Sequence, residues 1–181
     1  MSPHERFRFR SLDELRARIA ELGLDLPLEE DLTPLGRPVV VGHLHTPNAL
    51  AVHPMEGCDG TAEGRPGELT IRRYERFAQG GAGLLWFEAT AIAPAARANP
   101  HQLALTEATM PAFREMLEHT LALARQAHGA GFRPLTVLQL THSGRYCRPS
   151  GPREPVLVQH DPWLDPTVGT EPRQPLIGDE A

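Results

Sequence analysis

Polar residues follow three apolar runs of the sequence, and their types could bind a ligand or move protons. Residues 53–57 (HPMEG) follow the first run, residues 88–90 (EAT) close the second, and residues 139–145 (QLTHSGR) close the third. Carboxylates and histidines serve as general acids and bases, and the Gln139 amide can both donate and accept hydrogen bonds. These residue types favour a binding or catalytic site if the fold brings the three segments together.

The segments that must position these residues alternate between strand and helix patterns. Strands are predicted at residues 49–53, 83–89 and 134–140. Helices are predicted at residues 69–79 and from a cap at Thr109 to a stop at Gly129. The last two strands are near-continuous apolar runs, typical of strands buried on both faces of a parallel sheet. The alternation predicts an α/β fold in which the three segments share the ligand-binding edge of that sheet.

The flanking segments carry weaker signals. Ser11 followed by Glu14 fits a capping box and predicts a helix over residues 11–22. Val39 to Gly42 suggests a short strand or hairpin before a turn at residues 46–48, and residues 54–68 are expected to form a long surface loop. Residues 147–181 contain seven prolines and no strong helix or strand pattern.

Composition excludes several classes of protein. A net charge of −5 and an aromatic content of 6% argue against nucleic-acid binding. The two cysteines are far apart in the sequence, which argues against a disulfide framework or an iron–sulfur cluster. His43 and His45 lie two apart, a spacing that points both side chains the same way in a strand, but no set of ligands has structural-zinc spacing. Without a signal peptide or an apolar run of about 18 residues, we expect a cytoplasmic protein that does not bind membranes.

Three strings carry a family resemblance: HPMEG with its glycine-rich continuation, GGAGLLWFEATAI, and QLTHSGR, in this order and spacing. Together they resemble the N-terminal portion of the NADH:flavin oxidoreductase or Old Yellow Enzyme family, over about residues 35–160. The resemblance implies the first three βα units of a TIM (β/α)8 barrel. It also implies an FMN-dependent NAD(P)H oxidoreductase of the ene-reductase type, in which hydride passes through the flavin to an activated C=C bond.

The resemblance also implies roles for individual residues. Pro54 and Met55 match the loop beside the flavin ring, Ala89 matches a position near its pyrimidine edge, and Gln139 matches a glutamine that hydrogen-bonds the ring. Glu56 stands beside the flavin where many relatives have Thr or Cys. His142 and Arg145 are candidates for contacts with substrate.

Purely structural roles are also possible for several of these residues. Gln139 and His142 can each satisfy backbone groups, and Arg145 can pair with an acidic loop residue. Glu88 can be a general acid or base, or a buried carboxylate bonded to backbone or to an Arg. The arginines of the helix at 69–79 are expected to form a solvated face; they are Arg72, Arg73 and Arg76.

The sequence departs from the family in what it lacks. No residue matches the substrate-binding His/His or His/Asn pair, the proton-donor Tyr or the phosphate-binding Gly/Arg loops, so no catalytic residue is assigned. We predict an N-terminal helix and connector at 1–34, a partial barrel at 35–146, and a Pro-rich loop or truncated continuation at 147–181. Three hypotheses remain: a fragment of such an enzyme, a non-catalytic or split-barrel module completed by a partner chain or an oligomer, and a remnant without function.

Overall fold

A computed structural model describes residues 7–169, which divide into two compact units between Pro34 and Leu35. The first unit contains α1 (Leu12–Glu21). The Ser11 hydroxyl accepts a hydrogen bond from the Glu14 N–H at 3.2 Å, as the capping signal predicts. In return the Glu14 carboxylate accepts from the backbone N–H of Arg10 rather than from that of Ser11. The cap therefore forms with its reciprocal bond shifted by one residue.

The second unit begins with a hairpin of β1 (Val39–Val41) and β2 (Leu44–Thr46), which pair antiparallel. The chain reverses at Gly42 and His43, a turn in which Gly42 has a φ of 62°. His43 therefore lies in the turn and only His45 lies in a strand, so the two histidines do not share one strand face. Residues 46–48 instead connect this hairpin to the next strand.

A parallel sheet of three strands forms the centre of the second unit, in the order β3 (Ala51–Val52), β4 (Leu84–Ala91) and β5 (Leu135–Thr141). α2 (Glu68–Gln79) connects β3 to β4, and α3 (Met110–His128) connects β4 to β5. The predicted βαβ alternation is confirmed. The helices cover the sheet through a core of six buried side chains: Tyr74, Leu85, Phe87, Leu103, Phe113 and Met116.

Glycine ends both helices, as expected from its tolerance of backbone conformations that other residues avoid. Gly80 follows the last turn of α2, and Gly81 adopts a φ of 78°. Gly129 follows α3 with a φ of 99°. The Thr109 hydroxyl does not cap α3 directly; it donates instead to the Ala104 carbonyl at 2.6 Å. Thr109 thus fastens the start of the helix to the loop before it.

The segment at 54–68 is more closely packed than a surface loop. Gly60, Gly64 and Pro66 are buried. The Gly60 N–H donates to the His101 carbonyl at 2.9 Å, and the Ala104 N–H donates to the Gly64 carbonyl at 3.0 Å. The prediction of a surface loop is wrong for this inner part, because a second loop, after β4, supplies its hydrogen-bond partners.

The strand β5 is only half-buried, which corrects the prediction of a fully buried strand. Leu138 is 37% exposed and Leu140 is 56% exposed. β5 pairs with β4 on one side and with no other strand among residues 7–169. Its second edge and part of its surface therefore lack cover within the described chain, although its apolar sequence suits full burial.

The C-terminal part of the described chain contains one short helix, α4 (Asp165–Val168), which the sequence patterns do not predict. The predicted Pro-rich tail continues to residue 181, beyond the described residues. No helix in the described part of the chain is long and apolar enough to cross a membrane.

Candidate functional site

Gln102 joins the three strand-end segments at the carboxyl edge of the sheet. Its side chain is 2% exposed, and its Nε2 lies 3.2 Å from the Ala89 carbonyl oxygen. The same nitrogen lies 3.4 Å from Glu56 Oε1 and 3.4 Å from Thr141 Oγ1. One buried amide thus reaches the loop after β3, the end of β4 and the end of β5. The predicted convergence of the three segments is confirmed at these residues.

A network of charged residues holds the loop after β3 in place. The Glu88 carboxylate is 2% exposed and accepts from Arg73 Nη2 at 2.6 Å and from the Gly57 N–H at 3.0 Å. Arg73 also pairs with Asp59, at 2.6 Å from Nη1 and 3.0 Å from Nη2. Tyr74 completes the network: its hydroxyl accepts from the Glu88 N–H at 2.7 Å. Arg73 is therefore partly buried against two carboxylates, and the prediction of a wholly solvated arginine face is wrong for this residue.

Gly57 lets the loop after β3 pass directly against this network. A Cβ at Gly57 would overlap the guanidinium of Arg73. Because glycine has no side chain, the backbone N–H can reach the Glu88 carboxylate while the guanidinium lies against the same residue. The loop that carries Pro54, Met55 and Glu56 is thereby tied to β4 at its far end.

The electrostatics of the site follow from this arrangement. Partial burial, and then the nearby Glu88 carboxylate, raise the pKa of Glu56 above its ordinary value of 4.5. Hydrogen bonds from Arg73 and, less strongly, from Thr70 lower the pKa of Asp59 despite its partial burial. Burial raises the pKa of the Tyr74 hydroxyl. Glu56 thus takes up a proton more readily than Asp59.

Comparison with known proteins adds the family. No protein-family model matches the chain. The NADPH dehydrogenase of Halalkalibacterium halodurans is 30% identical over 129 residues, which are 68% of this chain and 35% of that protein. A morphinone reductase structure is 28% identical with a TM-score of 0.54, and it matches 69% of this chain and 32% of that one. The chain is Old Yellow Enzyme-like.

The structural neighbours define the fold and its extent. The Old Yellow Enzyme homologue of Zymomonas mobilis is 25% identical with a TM-score of 0.53, over 70% of this chain and 33% of that one. These neighbours are TIM-barrel enzymes, so the three parallel strands and two helices are part of a (β/α) barrel. The chain spans about a third of the length of these Old Yellow Enzyme relatives.

The predicted flavin-contacting residues differ in their exposure and in their hydrogen-bond partners. Met55 is 75% exposed in the loop after β3, next to the half-buried Pro54. Glu56 is exposed as a whole, but its carboxylate oxygen Oε1 lies against the buried Gln102 amide. Ala89 is 5% exposed, and its carbonyl accepts from Gln102. Gln139 is half-buried on β5, and its side-chain amide has no hydrogen-bond partner among the described residues. Gln102 therefore contacts both Glu56 and Ala89. The side chain of Gln139, two residues before Thr141, can still bind a ligand.

The predicted substrate contacts, His142 and Arg145, both have partners within the chain. The Gly144 N–H donates to His142 Nδ1 at 2.9 Å. Arg145 forms an ion pair with Asp165 and donates to the Gln159 carbonyl at 3.1 Å. Burial opposes ionisation of Asp165, but hydrogen bonds from His160, Asp161 and Arg145 lower its pKa to about 2. The purely structural interpretations of His142 and Arg145 are thus borne out, and their roles toward substrate stay predictions.

Sequence reasoning missed Gln102 and the buried role of Arg73. Gln102 lies in an irregular loop after β4, with no periodicity to mark it. Arg73 lies one residue before the buried Tyr74, and Thr70 is buried on the preceding turn, so the helix pattern does contain a signal. Placing Arg73 beside those two residues at helical spacing would have put it at the border of the buried face.

Proposed function

We propose that the chain supplies one side of an FMN site and acts as part of an FMN-dependent NAD(P)H oxidoreductase of the ene-reductase type. The observation that carries the proposal is the convergence of one segment from each of three βα units around Gln102, at the edge where barrels bind ligands. The similarity to a NADPH dehydrogenase and a morphinone reductase supports the reaction class. The morphinone reductase structure contains tetrahydroNAD, which supports NAD(P)H as the reductant.

The residues present fit the ring edge of a flavin. The Gln139 amide, which has no partner among the described residues, can both donate and accept, and so matches an N–C=O edge. Met55 presents an exposed, polarisable side chain in the adjoining loop, where it can cover an aromatic ring. When bound, FMN would supply the hydride chemistry, and these residues would orient it and tune it.

Glu56 opposes this fit in part, and its surroundings reduce the conflict. An ionised carboxylate beside the ring would disfavour a reduced, anionic flavin. Gln102 donates to Glu56, and the raised pKa of Glu56 makes the neutral acid easier to form. We infer that Glu56 is turned toward Gln102 and can hold a proton near the ring edge.

The substrate side depends on the segment after β5. The Gly144 N–H is a fixed donor, so His142 Nδ1 must accept, and a neutral ring then carries its proton on Nε2. His142 is exposed, so this Nε2–H can donate to a bound substrate. The phosphate-binding loops expected of the family have no match in this sequence, so we expect weak FMN affinity for this chain alone.

An absorbance titration with FMN tests the proposal. We expect the flavin band near ~450 nm to shift and gain structure in a saturable way as FMN is added in excess. Gln139→Leu should weaken binding by about 5- to 10-fold, the loss expected for one hydrogen bond. Gln126→Leu, on the exposed face of α3, is the matched control. Absence of any saturable spectral change at millimolar FMN would contradict the proposal.

A second candidate function is a non-catalytic, split-barrel module completed by a partner chain or by a second copy of itself. The free edge of β5 favours it, together with an adjacent cavity of about 350 Å³ between β5 and α3, lined mostly by apolar residues including Phe87, Met116 and Leu138. A parallel strand with its helix would cover both features. Co-expression with the remaining length of an Old Yellow Enzyme relative should then yield a stable complex that retains FMN. If the two chains are purified separately and form no complex when mixed, that result would argue against this function.

A further inference from the structure

The loop that carries Gln102 is fixed on both sides of that residue. The His101 carbonyl accepts from the Gly60 N–H at 2.9 Å, and the Leu103 carbonyl accepts from the Ala91 N–H at 2.8 Å. The first bond ties the loop to the segment after β3, and the second ties it to the end of β4. The Gln102 side chain therefore enters the strand-end region from a backbone that is already held in place, which lowers the entropy lost when it is ordered.

Both ends of the Gln102 amide are engaged. Its Oε1 accepts from the Ala98 N–H at 2.6 Å, which orients the amide plane. Its Nε2 then faces three acceptors, Ala89 O, Glu56 Oε1 and Thr141 Oγ1. An amide nitrogen carries two hydrogens, so at most two of these acceptors are satisfied at once. Ala89 O is the nearest, and Glu56 and Thr141 share the second hydrogen.

Gln102 contacts Ala89 at an irregular point of the β4–β5 pairing. The β4–β5 register shifts between Phe87 and Thr90, so Ala89 lies in an irregularity of the ladder. Irregularities of this kind leave a residue outside regular pairing and recur next to functional sites. A side-chain donor from a third segment meets the Ala89 carbonyl at this point.

We propose that Gln102 is a positioning residue of the strand-end site: it sets the spacing of the Glu56 loop, the Ala89 carbonyl and the end of β5 around one buried amide. No other described side chain hydrogen-bonds to all three segments. The consequence for flavin binding rests on the proposed function. The ordering of the three segments does not depend on it, so the two can fail separately.

Hydrogen–deuterium exchange of the full chain tests the ordering. Gln102→Glu keeps the shape and the acceptor for Ala98 but removes both donors and places a second carboxylate beside Glu56. We expect exchange to rise at least tenfold in peptides covering residues 53–60 and 139–146, with peptides from α3 unchanged. Thr120→Val is the control, because Thr120 is 1% exposed and its hydroxyl donates only to Met116 in the same helix.

A swap of the two side chains guards against a variant that fails to fold. Gln102→Glu combined with Glu56→Gln restores an amide–carboxylate hydrogen bond with donor and acceptor exchanged. We expect the swap to recover at least part of the lost protection, or the lost yield of folded protein. Exchange that rises equally in all peptides, or a swap no better than Gln102→Glu alone, would overturn the proposal.

Titration with FMN provides the second readout. If the wild-type chain binds FMN, Gln102→Glu should weaken binding about tenfold while Thr120→Val leaves it unchanged. Unchanged FMN affinity in Gln102→Glu would overturn the positioning role. If the wild-type chain does not bind FMN, the proposed function fails, and the exchange experiment still decides the role of Gln102.

Discussion

At the scale of single residues, the ion pair between the partly buried Arg73 and the buried Glu88 is the most consequential interaction near the site. A buried pair contributes little net stability, because desolvation offsets the attraction, but removing one partner leaves an uncompensated charge. Glu88 is 2% exposed, and its other hydrogen bonds come from neutral donors. This explains why Arg73 is less exposed than the other arginines of α2, Arg72 and Arg76.

Arg73→Ala should therefore destabilise the fold by about 3 kcal/mol, in the range for a broken buried pair. Arg72→Ala, the adjacent exposed arginine, should change stability by less than about 0.5 kcal/mol. Urea denaturation of both variants measures the difference. Equal, small effects from the two substitutions would show that Glu88 finds another partner or takes up a proton.

Glu56 should make stability depend on pH in a defined direction. Its folded-state pKa is raised, so its contribution is present below the pKa of the unfolded chain and is lost as the pH rises through the folded value. Glu56→Gln does not titrate, so its melting temperature relative to wild type should increase between pH 4 and pH 7. Glu63→Gln is the control with the opposite trend, because hydrogen bonds with Thr61 lower the pKa of Glu63. Parallel curves for wild type and Glu56→Gln would contradict this prediction.

At the scale of elements, β5 differs from β4 although both have strongly apolar sequences. β4 has a strand on each side, and most of its residues are buried. β5 has one neighbour within the described chain, and its unpaired N–H and C=O groups can template pairing with another strand. Leu138 and Leu140 add exposed apolar surface to this edge.

We expect the isolated chain to self-associate through β5. Leu140→Lys should reduce concentration-dependent association, because a charge on an open edge opposes strand addition. Leu69→Lys on α2 is the matched control, because Leu69 is 49% exposed but lies on a helix and not on a strand. Sedimentation velocity over a range of concentrations compares the two variants with wild type, and equal association of all three would place the contact elsewhere.

At the scale of the whole molecule, the second unit has the fold of a partial (β/α) barrel. Three parallel strands and two connecting helices correspond to about a third of the length of Old Yellow Enzyme relatives. A complete barrel of this kind has eight βα units. The chain divides into compact units between Pro34 and Leu35, and we propose the same boundary for the N-terminal helix and connector. The boundary at residue 146 stays a prediction.

Local patterns of residues were enough to predict the alternation of elements and the edge at which the site forms. Ser11, Gly80 and Gly129 mark helix ends through interactions within a few residues, so these ends could be read from local sequence. The apolar runs before His53, Thr90 and Thr141 predict parallel strands whose ends share one edge. Local periodicity and capping were sufficient for this level of the fold.

The identity of the side chains that meet at that edge depends on long-range contacts. Gln102 contacts Glu56 and Thr141, which are 46 and 39 residues away in sequence, because backbone hydrogen bonds from two other segments fix its loop. The exposure of β5 likewise depends on whether a neighbouring strand is present, and the composition of β5 does not record that. Long-range contacts of this kind depend on the paths of several loops at once, and no local pattern of residues specifies those paths.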